Sequence, residues 1–418
     1  MREMKDSGIK WIGTIPQQWD IVKFKALFKS KSIPNSGDRE LLSVYLDRGV
    51  IRYSDSSNMQ VHKPSESLDK YQNVDIGDFV LNNQQAWRGS VGVSKYRGII
   101  SPAYLIYEMS DECFPQYMNY ALRDCYMVQQ YEYCSRGVGT IQRNVSPQWL
   151  KQALVLLPPL EEQKRIAEHL DSECSQIDGL IADIQAQIDT LEQYKKSQIQ
   201  ETVTRGLLKD IPQKDSGAPW LGQVPCHWRT DKLKYHLMRS EPKNPGGLTV
   251  LSLYREYGII PKDSRDDNHN QTSEDTSKYK HVKPGNFVVN KMKAWQGSVA
   301  VSDYEGIISP AYYVYSFVDN EFYKRYFHYL LRGCYKDEFM RLSGGMRVGQ
   351  WDLSSADLEN TIVLIPPIDE QKAIAAYLDE KCAEIDGCIA AKKEQISTLE
   401  AYKKSVIFEC VTGKKEVE

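Results

Sequence analysis

The chain has 418 residues, of which 41% are hydrophobic and 26% are charged, and its formal net charge is −3 at pH 7. It is too long for one ordinary domain, because single cores rarely exceed roughly 250 to 300 residues, and it has no run of about 18 apolar residues that could span a membrane. The N-terminus lacks the apolar core of a secretion signal, so we expect a soluble, cytoplasmic protein of several domains without membrane association.

The nine cysteines are scattered along the chain and form no CxxC pair. An odd, dispersed set disfavours both a disulfide framework and a zinc site. We therefore expect reduced, mostly buried thiols that serve as small apolar residues, and no bound metal.

A tandem repeat with an offset of 208 to 209 residues dominates the sequence. KDSGIKWIGTIPQQW at 5–19 returns as KDSGAPWLGQVPCHW at 214–228, and the segment 79–107 returns at 287–315 with 19 of 29 positions identical. This unit is far longer than the roughly 20 to 50 residues of solenoid repeats. Each copy has a tryptophan-containing lead, a globular block and one long helix, which predicts two similar domains related by pseudo-two-fold symmetry.

Within each globular block, the repeated element AWxGS has the same tryptophan, Trp87 or Trp295, but different polar neighbours. Arg, Gln and Asn are the side chains that contact guanine and adenine edges in pairs of hydrogen bonds. Surface drift after duplication would give the same differences. A separate alternative is that the two tryptophans only anchor the core. The candidate DNA-contacting residues in this element are Asn83, Gln84, Gln85 and Arg88 in the first copy, and Lys291, Lys293 and Gln296 in the second.

Further along each block lies a glycine-containing segment, RGVGT at 136–140 and SGGMRVGQ at 343–350. Neither has the strand-to-helix context of a phosphate-binding loop, so we expect flexible loops. The polar runs 35–39, 54–63 and 262–278 are also expected to be loops of unknown use, with DNA contact as one alternative. The candidate DNA-contacting residues beside the glycines are Gln142, Arg143 and Asn144 in the first copy, and Arg347 and Gln350 in the second.

A continuous apolar run then predicts a buried strand at 153–157, and again at 361–365. Two prolines end each strand, and the acidic pairs at 161–162 and 369–370 favour the start of a helix. Each helix should run for about 45 residues, or roughly 65 Å. Gly206 and Gly413 are plausible C-caps.

Each predicted helix has apolar residues at alternating spacings of four and three, which is typical of a coiled coil. Lys392 interrupts the second stripe and leaves its register open. We favour an antiparallel pair that holds the two blocks at opposite ends; the alternative is that each stripe packs only on its own domain. The predicted seam consists of Leu170, Cys174, Ile177, Ile181, Ile184, Ile188 and Leu191, followed in the second helix by Leu378, Cys382, Ile385, Ile389, Ile396 and Leu399.

Charge is unevenly distributed between blocks and helices. The blocks 21–157 and 229–365 have 16 basic against 13 acidic residues and 19 against 17, whereas the helical segments 158–206 and 366–413 have 5 against 10 and 6 against 9. The mildly positive blocks could present a basic face to nucleic acid; a solvated acidic helix surface beside ordinary domains explains the numbers equally well.

Motifs for catalysis are missing from the sequence. It has no GxxxxGK[ST], HExxH or GxSxG, and no Asn-Pro-Pro-aromatic sequence of the kind that binds an extruded adenine in amino-methyltransferases. We therefore predict no catalytic residue in this chain.

Four segments resemble a known family. WIGTIPQQW and WLGQVPCHW look like the leads to the two target-recognition domains of type I restriction-modification specificity subunits, and PPLEEQKRIAEHLD and PPIDEQKAIAAYLD look like the openings of its two conserved helical regions. The resemblance covers essentially the whole chain. It implies target-recognition domains at 1–157 and 207–365, helical coiled-coil regions at 158–206 and 366–418, the last with a C-terminal tail, and an α+β fold with two similar α/β domains.

The family resemblance also implies a function. The chain would be a non-catalytic subunit that recognises a two-part sequence in double-stranded DNA, with the helices setting the gap between the parts. It would bind two methyltransferase subunits, which use S-adenosylmethionine, and motor-nuclease subunits that use ATP and Mg could join them, so no cofactor is expected in this chain. The alternative is a coiled-coil protein-interaction adaptor without sequence-specific DNA binding.

Overall fold

The computed structural model describes residues 2–35, 37, 39–56, 64–65, 67–138, 142–208, 210–254, 258–264, 275–345 and 351–417, and the side chains of all of these except Val138 and Gln142. The chain forms two compact units, Met1–Gln185 with Lys393–Glu418, and Ala186–Lys392. Each unit includes part of both long helices, so the domain boundaries at 157, 206 and 365 stay predictions. Over the described ranges, no helix is long and apolar enough to cross a membrane.

The first unit combines short helices with antiparallel strands. Its largest sheet has the order β4-β11-β8-β9. The unit also has the separate two-stranded sheets β1-β2, β3-β14, β5-β6, β7-β10 and β12-β13. The strands are β1 Met4–Asp6, β2 Thr14–Pro16, β3 Asp20–Lys23, β4 Phe28–Lys31, β5 Leu42–Tyr45, β6 Gly49–Arg52, β7 Gln72–Val74, β8 Phe79–Asn82, β9 Val91–Val93, β10 Gly98–Ile100, β11 Tyr104–Met109, β12 Ser135–Val138, β13 Gln142–Val145 and β14 Leu154–Leu157. The helices are α1 Phe24–Leu27, α2 Pro115–Ala121, α3 Cys125–Tyr133, α4 Pro147–Leu150 and α5 Leu160–Arg205, and Tyr53–Ser56 and Ala86–Arg88 are 3₁₀ turns.

The second unit repeats this arrangement. Its largest sheet has the equivalent order, β18-β25-β22-β23, beside the pairs β15-β16, β17-β26, β19-β20 and β21-β24. The strands are β15 Gln213–Asp215, β16 Gln223–Pro225, β17 Arg229–Lys232, β18 Leu237–Arg239, β19 Leu251–Tyr254, β20 Gly258–Pro261, β21 Lys280–Val282, β22 Phe287–Asn290, β23 Val299–Val301, β24 Gly306–Ile308, β25 Tyr312–Phe317 and β26 Ile362–Ile365. The helices are α6 Lys324–Cys334, α7 Lys336–Leu342, α8 Ser355–Asn360 and α9 Ile368–Val411, and Leu233–Tyr235, Lys262–Ser264 and Ala294–Gln296 are 3₁₀ turns.

The central strands are buried on both faces of each four-stranded sheet. In β8, Phe79 and Leu81 belong to the main core of the first unit, whereas Val80 belongs to a second apolar cluster on the opposite face. In β22, Phe287 belongs to the main core of the second unit and Val288 to a second apolar cluster on the opposite face. This two-sided burial explains why these strands are continuous apolar runs, and the antiparallel pairing makes each unit an α+β structure of mixed helix and strand.

The predicted strand, double proline and helix are confirmed in both copies. The strands end at Leu157 and Ile365, and the helices begin at Leu160 and Ile368 and extend for 46 and 44 residues. Gly206 and Gly413 follow the helix ends at φ 76° and 70°, in the left-handed region expected of a C-cap.

A fully buried glutamine ties the first turn of each helix to its unit. The side-chain amide of Gln163 donates to the carbonyls of Glu112 and Pro158, and its oxygen accepts from the backbone N–H of Phe114. Gln371 makes the same three bonds, to the carbonyls of Glu321 and Pro366 and from the N–H of Tyr323. This glutamine was not predicted from the sequence, because the acidic pair beside it is the recognised signal for a helix start.

Within the first unit, the parts of α5 and α9 that belong to it run antiparallel. Leu170 near the start of α5 shares the core with Cys410 near the end of α9. Further along α5, Asp178 accepts hydrogen bonds of 2.6 and 2.7 Å from the ammonium of Lys403, which lies earlier in α9. Residues later in α5 therefore contact residues earlier in α9, as they do in an antiparallel helix pair.

The second unit shows the same relationship. Val203 near the end of α5 shares the core with Leu378 near the start of α9, and Lys195 donates to both carboxylate oxygens of Asp386 at 2.6 and 2.7 Å. Lys392 donates to the side-chain oxygen of Gln187. Within each unit, therefore, the segments of the two helices contact each other, and both pack against the globular block of that unit.

The predicted seam residues are all at least partly withdrawn from solvent. Lys392, which interrupts the apolar pattern, is also half-buried, and its charge is accommodated by the hydrogen bond to Gln187. Leu170, Cys174, Ile177, Ile188, Leu378, Cys382, Ile385 and Ile389 are buried, and Ile181, Ile184, Leu191, Ile396 and Leu399 are half-buried.

Some expected loops are regular structure. Residues 136–138, expected to be part of a flexible loop, lie in strand β12, where Arg136 pairs with Asn144 and Gly137 with Arg143 of β13; the cross-strand backbone bonds outweigh the low strand propensity of the glycine. The runs 54–63 and 262–278 begin in 3₁₀ turns, and residues 57–63 and 265–274 lie outside the described residues.

The nine cysteines are free thiols, six of them buried, as expected.

Candidate nucleic-acid interface

The AWxGS element forms the same turn in both units. After β8, the N–H of Gln85 donates to the carbonyl of Asn82 at 3.1 Å, a 3₁₀ turn follows, and Gly89 at φ 99° returns the chain to β9. Lys293 and Asn290 form the equivalent bond at 3.0 Å, and Gly297 has φ 84°. The two units therefore present different side chains from one common backbone.

The tryptophans of this turn lie at the surface of each unit rather than in its core. Trp87 is half-buried, and its indole N–H donates to the carbonyl of Gln84 at 3.0 Å. Trp295 is half-buried as well and donates to Met292 at 3.1 Å. With the indole N–H held by the turn itself, the aromatic face is available to neighbouring side chains.

In the first unit, cationic side chains from the turn and from the β12-β13 ribbon gather at Trp87. The guanidinium carbon of Arg143 lies 5.0 Å from the Trp87 ring centroid, and that of Arg88 lies 5.8 Å from it. The guanidinium of Arg143 also pairs with Glu132 at 2.9 Å. On the same ribbon, Arg136 lies 3.9 Å from the ring of the exposed Trp149.

The remaining candidates of the first unit lie on these same two segments. Gln84 and Asn144 are exposed and Gln85 is half-buried. The carbonyl of Asn83 accepts from the N–H of Val145 at 3.1 Å, which joins the turn to the ribbon. The side chain of Gln142 lies outside the described part of the chain. The structure thus brings Asn83, Gln84, Gln85, Arg88, Arg143 and Asn144 together.

The second unit has a different set of side chains at this place. Lys291 pairs with Asp352 at 3.2 Å, Lys293 is exposed and Gln296 is half-buried. The Trp351 ring lies 5.5 Å from that of Trp295. Arg347 and Gln350 lie outside the described residues.

A cleft of about 370 Å³ opens beside the turn of the second unit. Lys293 and Gln296 contribute to its wall together with Trp295. Burial raises the pKa of Tyr312, so its phenol stays protonated near neutral pH. The other lining residues are Val250, Leu251, Ser252, Lys262, Tyr279, Asn290, Met292, Ser309 and Ala311.

Four residues of this surface were not predicted from the sequence: Glu132, Arg136, Trp149 and Trp351. The 208-residue offset could have identified Trp351, since it aligns with Arg143, but an aromatic residue in place of an arginine hides the equivalence. Among the described residues, no group of three or more His, Cys, Asp or Glu side chains is placed to hold a metal ion. DNA contact by any of these residues stays a prediction.

Comparisons with known proteins agree with each other. The family model of the type I restriction modification DNA specificity domain matches residues 243–401. The putative type I restriction enzyme MjaX specificity subunit of Methanocaldococcus jannaschii is 26% identical, over 97% of this chain and 96% of its own length. The MjaVIII specificity subunit of the same organism is also 26% identical, over 97% of this chain and 94% of its own length.

The matched segment and the full-length relatives together indicate a type I restriction-modification specificity subunit.

Two solved structures share the fold of this specificity subunit. A chain of a solved type I restriction-modification system has a TM-score of 0.69 at 16% identity, covering 96% of this chain and 99% of that one. The HsdS subunit of Thermoanaerobacter tengcongensis has a TM-score of 0.52 at 17% identity, with coverages of 96% and 98%. The specificity subunit therefore spans nearly the full length of its relatives, with both units included.

Proposed function

We propose that this specificity subunit is a non-catalytic protein that binds a two-part DNA sequence and directs methyltransferase and motor-nuclease subunits to it. The observation that carries the proposal is the duplicated turn. Its backbone is the same in both units, whereas Arg88 stands in one and Gln296 in the other, beside Arg143 and Trp351 respectively.

These side chains have the chemistry of major-groove recognition. A guanidinium donates two parallel hydrogen bonds to guanine, and a carboxamide both donates to and accepts from adenine. Lys and Arg side chains nearby would supply phosphate contacts, and hence affinity and salt dependence, without sequence information. Two similar units with different side chains would therefore bind two half-sites of different sequence, each unit contacting one.

The long helices would fix the distance between the half-sites. We propose that α5 and α9 form an antiparallel coiled coil along their length, which is supported by the ion pairs Asp178–Lys403 and Lys195–Asp386, one within each unit. The helices would also bind two methyltransferase subunits. S-adenosylmethionine, ATP and Mg would be held by the partner subunits, and the cytoplasmic location stays a prediction.

Selection from a library of randomised DNA duplexes tests this function. The full chain, alone and co-purified with methyltransferase subunits from its source organism, is incubated with the library, and bound duplexes are sequenced. We expect two short conserved motifs separated by a gap of constant length. Sequence-independent binding, or no binding even with methyltransferase subunits present, would contradict the proposal and favour a protein-interaction adaptor.

A second assay tests the absence of catalysis. The purified chain is incubated with DNA and labelled S-adenosylmethionine, with and without the methyltransferase subunits. Label should enter DNA only when those subunits are present. Methyl transfer by the chain alone would show a catalytic site within it and overturn the non-catalytic role.

A further inference from the structure

One position beside the duplicated tryptophan has a cationic side chain in the first unit and an aromatic side chain in the second. Residues 143 and 351 are related by the 208-residue offset. In the first unit the guanidinium of Arg143 lies 5.0 Å from the Trp87 ring centroid, and in the second the Trp351 ring lies 5.5 Å from that of Trp295. Arg143 and Trp351 therefore contact equivalent surface tryptophans from equivalent positions.

The side chain of Arg143 is restricted from two sides. Its guanidinium pairs with Glu132 at 2.9 Å and lies against the indole of Trp87, while 27% of the side chain stays exposed. A charge-assisted bond and a cation–π contact both limit the rotamers of a long side chain. A guanidinium held in this way loses less conformational freedom when it binds a ligand.

Backbone bonds fix the position of this arginine further. Arg143 lies in β13, opposite Gly137 of β12, and the carbonyl of Asn83 accepts from the N–H of Val145 two residues later. The ribbon and the turn are thus joined next to Arg143. A two-stranded ribbon is one of the elements that the major groove of B-form DNA admits.

The second unit has replaced arginine at each equivalent position. Trp351 stands for Arg143, Gln296 for Arg88 and Gly344 for Arg136 under the same offset. Among the described residues at this place, the cations are lysines: Lys291 is paired with Asp352, and Lys293 is exposed beside the cleft. A lysine is a flexible point charge and lacks the rigid planar fork with which arginine matches guanine O6 and N7 in two parallel hydrogen bonds.

We propose that Arg143 specifies a guanine in the half-site bound by the first unit, and that Trp351 leaves the second unit without this requirement. This inference rests on the proposed function. The fork of Arg143 would donate to guanine O6 and N7, and Glu132 and Trp87 would position it.

Arg143→Lys separates base recognition from charge. The variant keeps the positive charge but loses the fork, so we expect the preference for guanine at one position of one half-site to fall roughly 5- to 100-fold. The motif of the other half-site should not change, and its retention shows that the variant is folded. Arg97→Lys is the matched control, because Arg97 is 75% exposed in the same unit; both motifs should persist.

The measurement is the duplex-library selection, with the full chain and its methyltransferase subunits. A two-part motif that is the same for wild type and Arg143→Lys would overturn this inference and leave the proposed function standing. Weaker binding of all sequences with an unchanged motif would also overturn it, because Arg143 would then contact phosphate. If the wild-type chain selects no two-part motif, the proposed function fails and this inference fails with it.

Discussion

The imidazole Nδ1 of His328 accepts a hydrogen bond of 3.4 Å from the backbone N–H of Val301. In the first unit, the side-chain oxygen of Asn119 accepts the corresponding bond from Val93 at 3.1 Å. Burial, aided by the charges of Arg332 and Arg325, lowers the pKa of His328 to about 3, against the opposing influence of Asp379. His328 is therefore neutral in the folded chain and performs the role of an asparagine.

This asymmetry predicts a pH-dependent stability in the second unit. The unfolded chain protonates His328 near its ordinary pKa of 6.5, whereas the folded chain does not. The unfolded state thus binds more protons below pH 6.5, and the free energy of unfolding falls as the pH falls toward 3. Between pH 7 and pH 5 this single residue should cost about 2 kcal/mol.

His328→Asn should remove that loss, because it introduces the residue of the first unit. Urea denaturation of wild type and variant at pH 7 and pH 5 gives the comparison. The variant should be about 2 kcal/mol less sensitive to the pH change. Equal losses in the two proteins would mean that His328 is protonated in the folded state, contrary to the prediction.

The buried Gln371 gives a second prediction. Gln371→Met keeps the approximate shape of the side chain but leaves two carbonyls and one N–H without their partner. Unpaired buried polar groups are costly, so we expect the free energy of unfolding to fall by roughly 2–4 kcal/mol. Gln395→Met, at an exposed position of the same helix, is the control and should change stability by less than about 0.5 kcal/mol. Similar stabilities of the two variants would refute the role of Gln371.

The sequence predicted the strand-to-helix junctions because their signals are local. Pro158 and Pro366 cannot continue a strand, and the apolar stripe that follows each one repeats over many turns. Neither feature depends on contacts with distant parts of the chain. The sequence therefore predicted the first and last residues of each helix to within about two positions.

The surroundings of Trp87 and Trp295 could not be predicted in this way. The glycines at 137 and 139 indicated a loop, and only cross-strand pairing with Arg143 and its neighbours makes residues 135–138 a strand. The contact of Trp351 with Trp295 joins residues 56 positions apart. Such contacts depend on tertiary packing, which residue spacing alone does not determine.

A third prediction concerns the helix pair in the second unit. Lys195→Glu places two negative charges together at Asp386, and Asp386→Lys in the same chain restores an opposite-charge pair. Both side chains are partly exposed, so the coupling free energy in a double-mutant cycle should be about 0.2–1 kcal/mol. Lys403→Glu with Asp178→Lys is the matched cycle in the first unit. A coupling of zero in both cycles would show that neither pair stabilises the helices.

The last prediction tests whether the helices set the gap between the half-sites. Seven residues are inserted near the middle of each helix, between Ala186 and Gln187 and between Glu394 and Gln395, with sequences that continue the apolar pattern. Seven residues are two turns of the seam, so the stripe stays in register while each helix lengthens by about 10 Å. The proposed spacing role requires the gap to grow by roughly three base pairs, at about 3.4 Å each.

The duplex-library selection measures that gap directly. Both half-site motifs should remain unchanged, because the turns and the ribbon are not altered. Insertion into only one helix is the control: it disrupts the pairing and should abolish selection of a constant gap. A double insertion that retains the original gap would show that something other than helix length determines the distance between the two bound sequences.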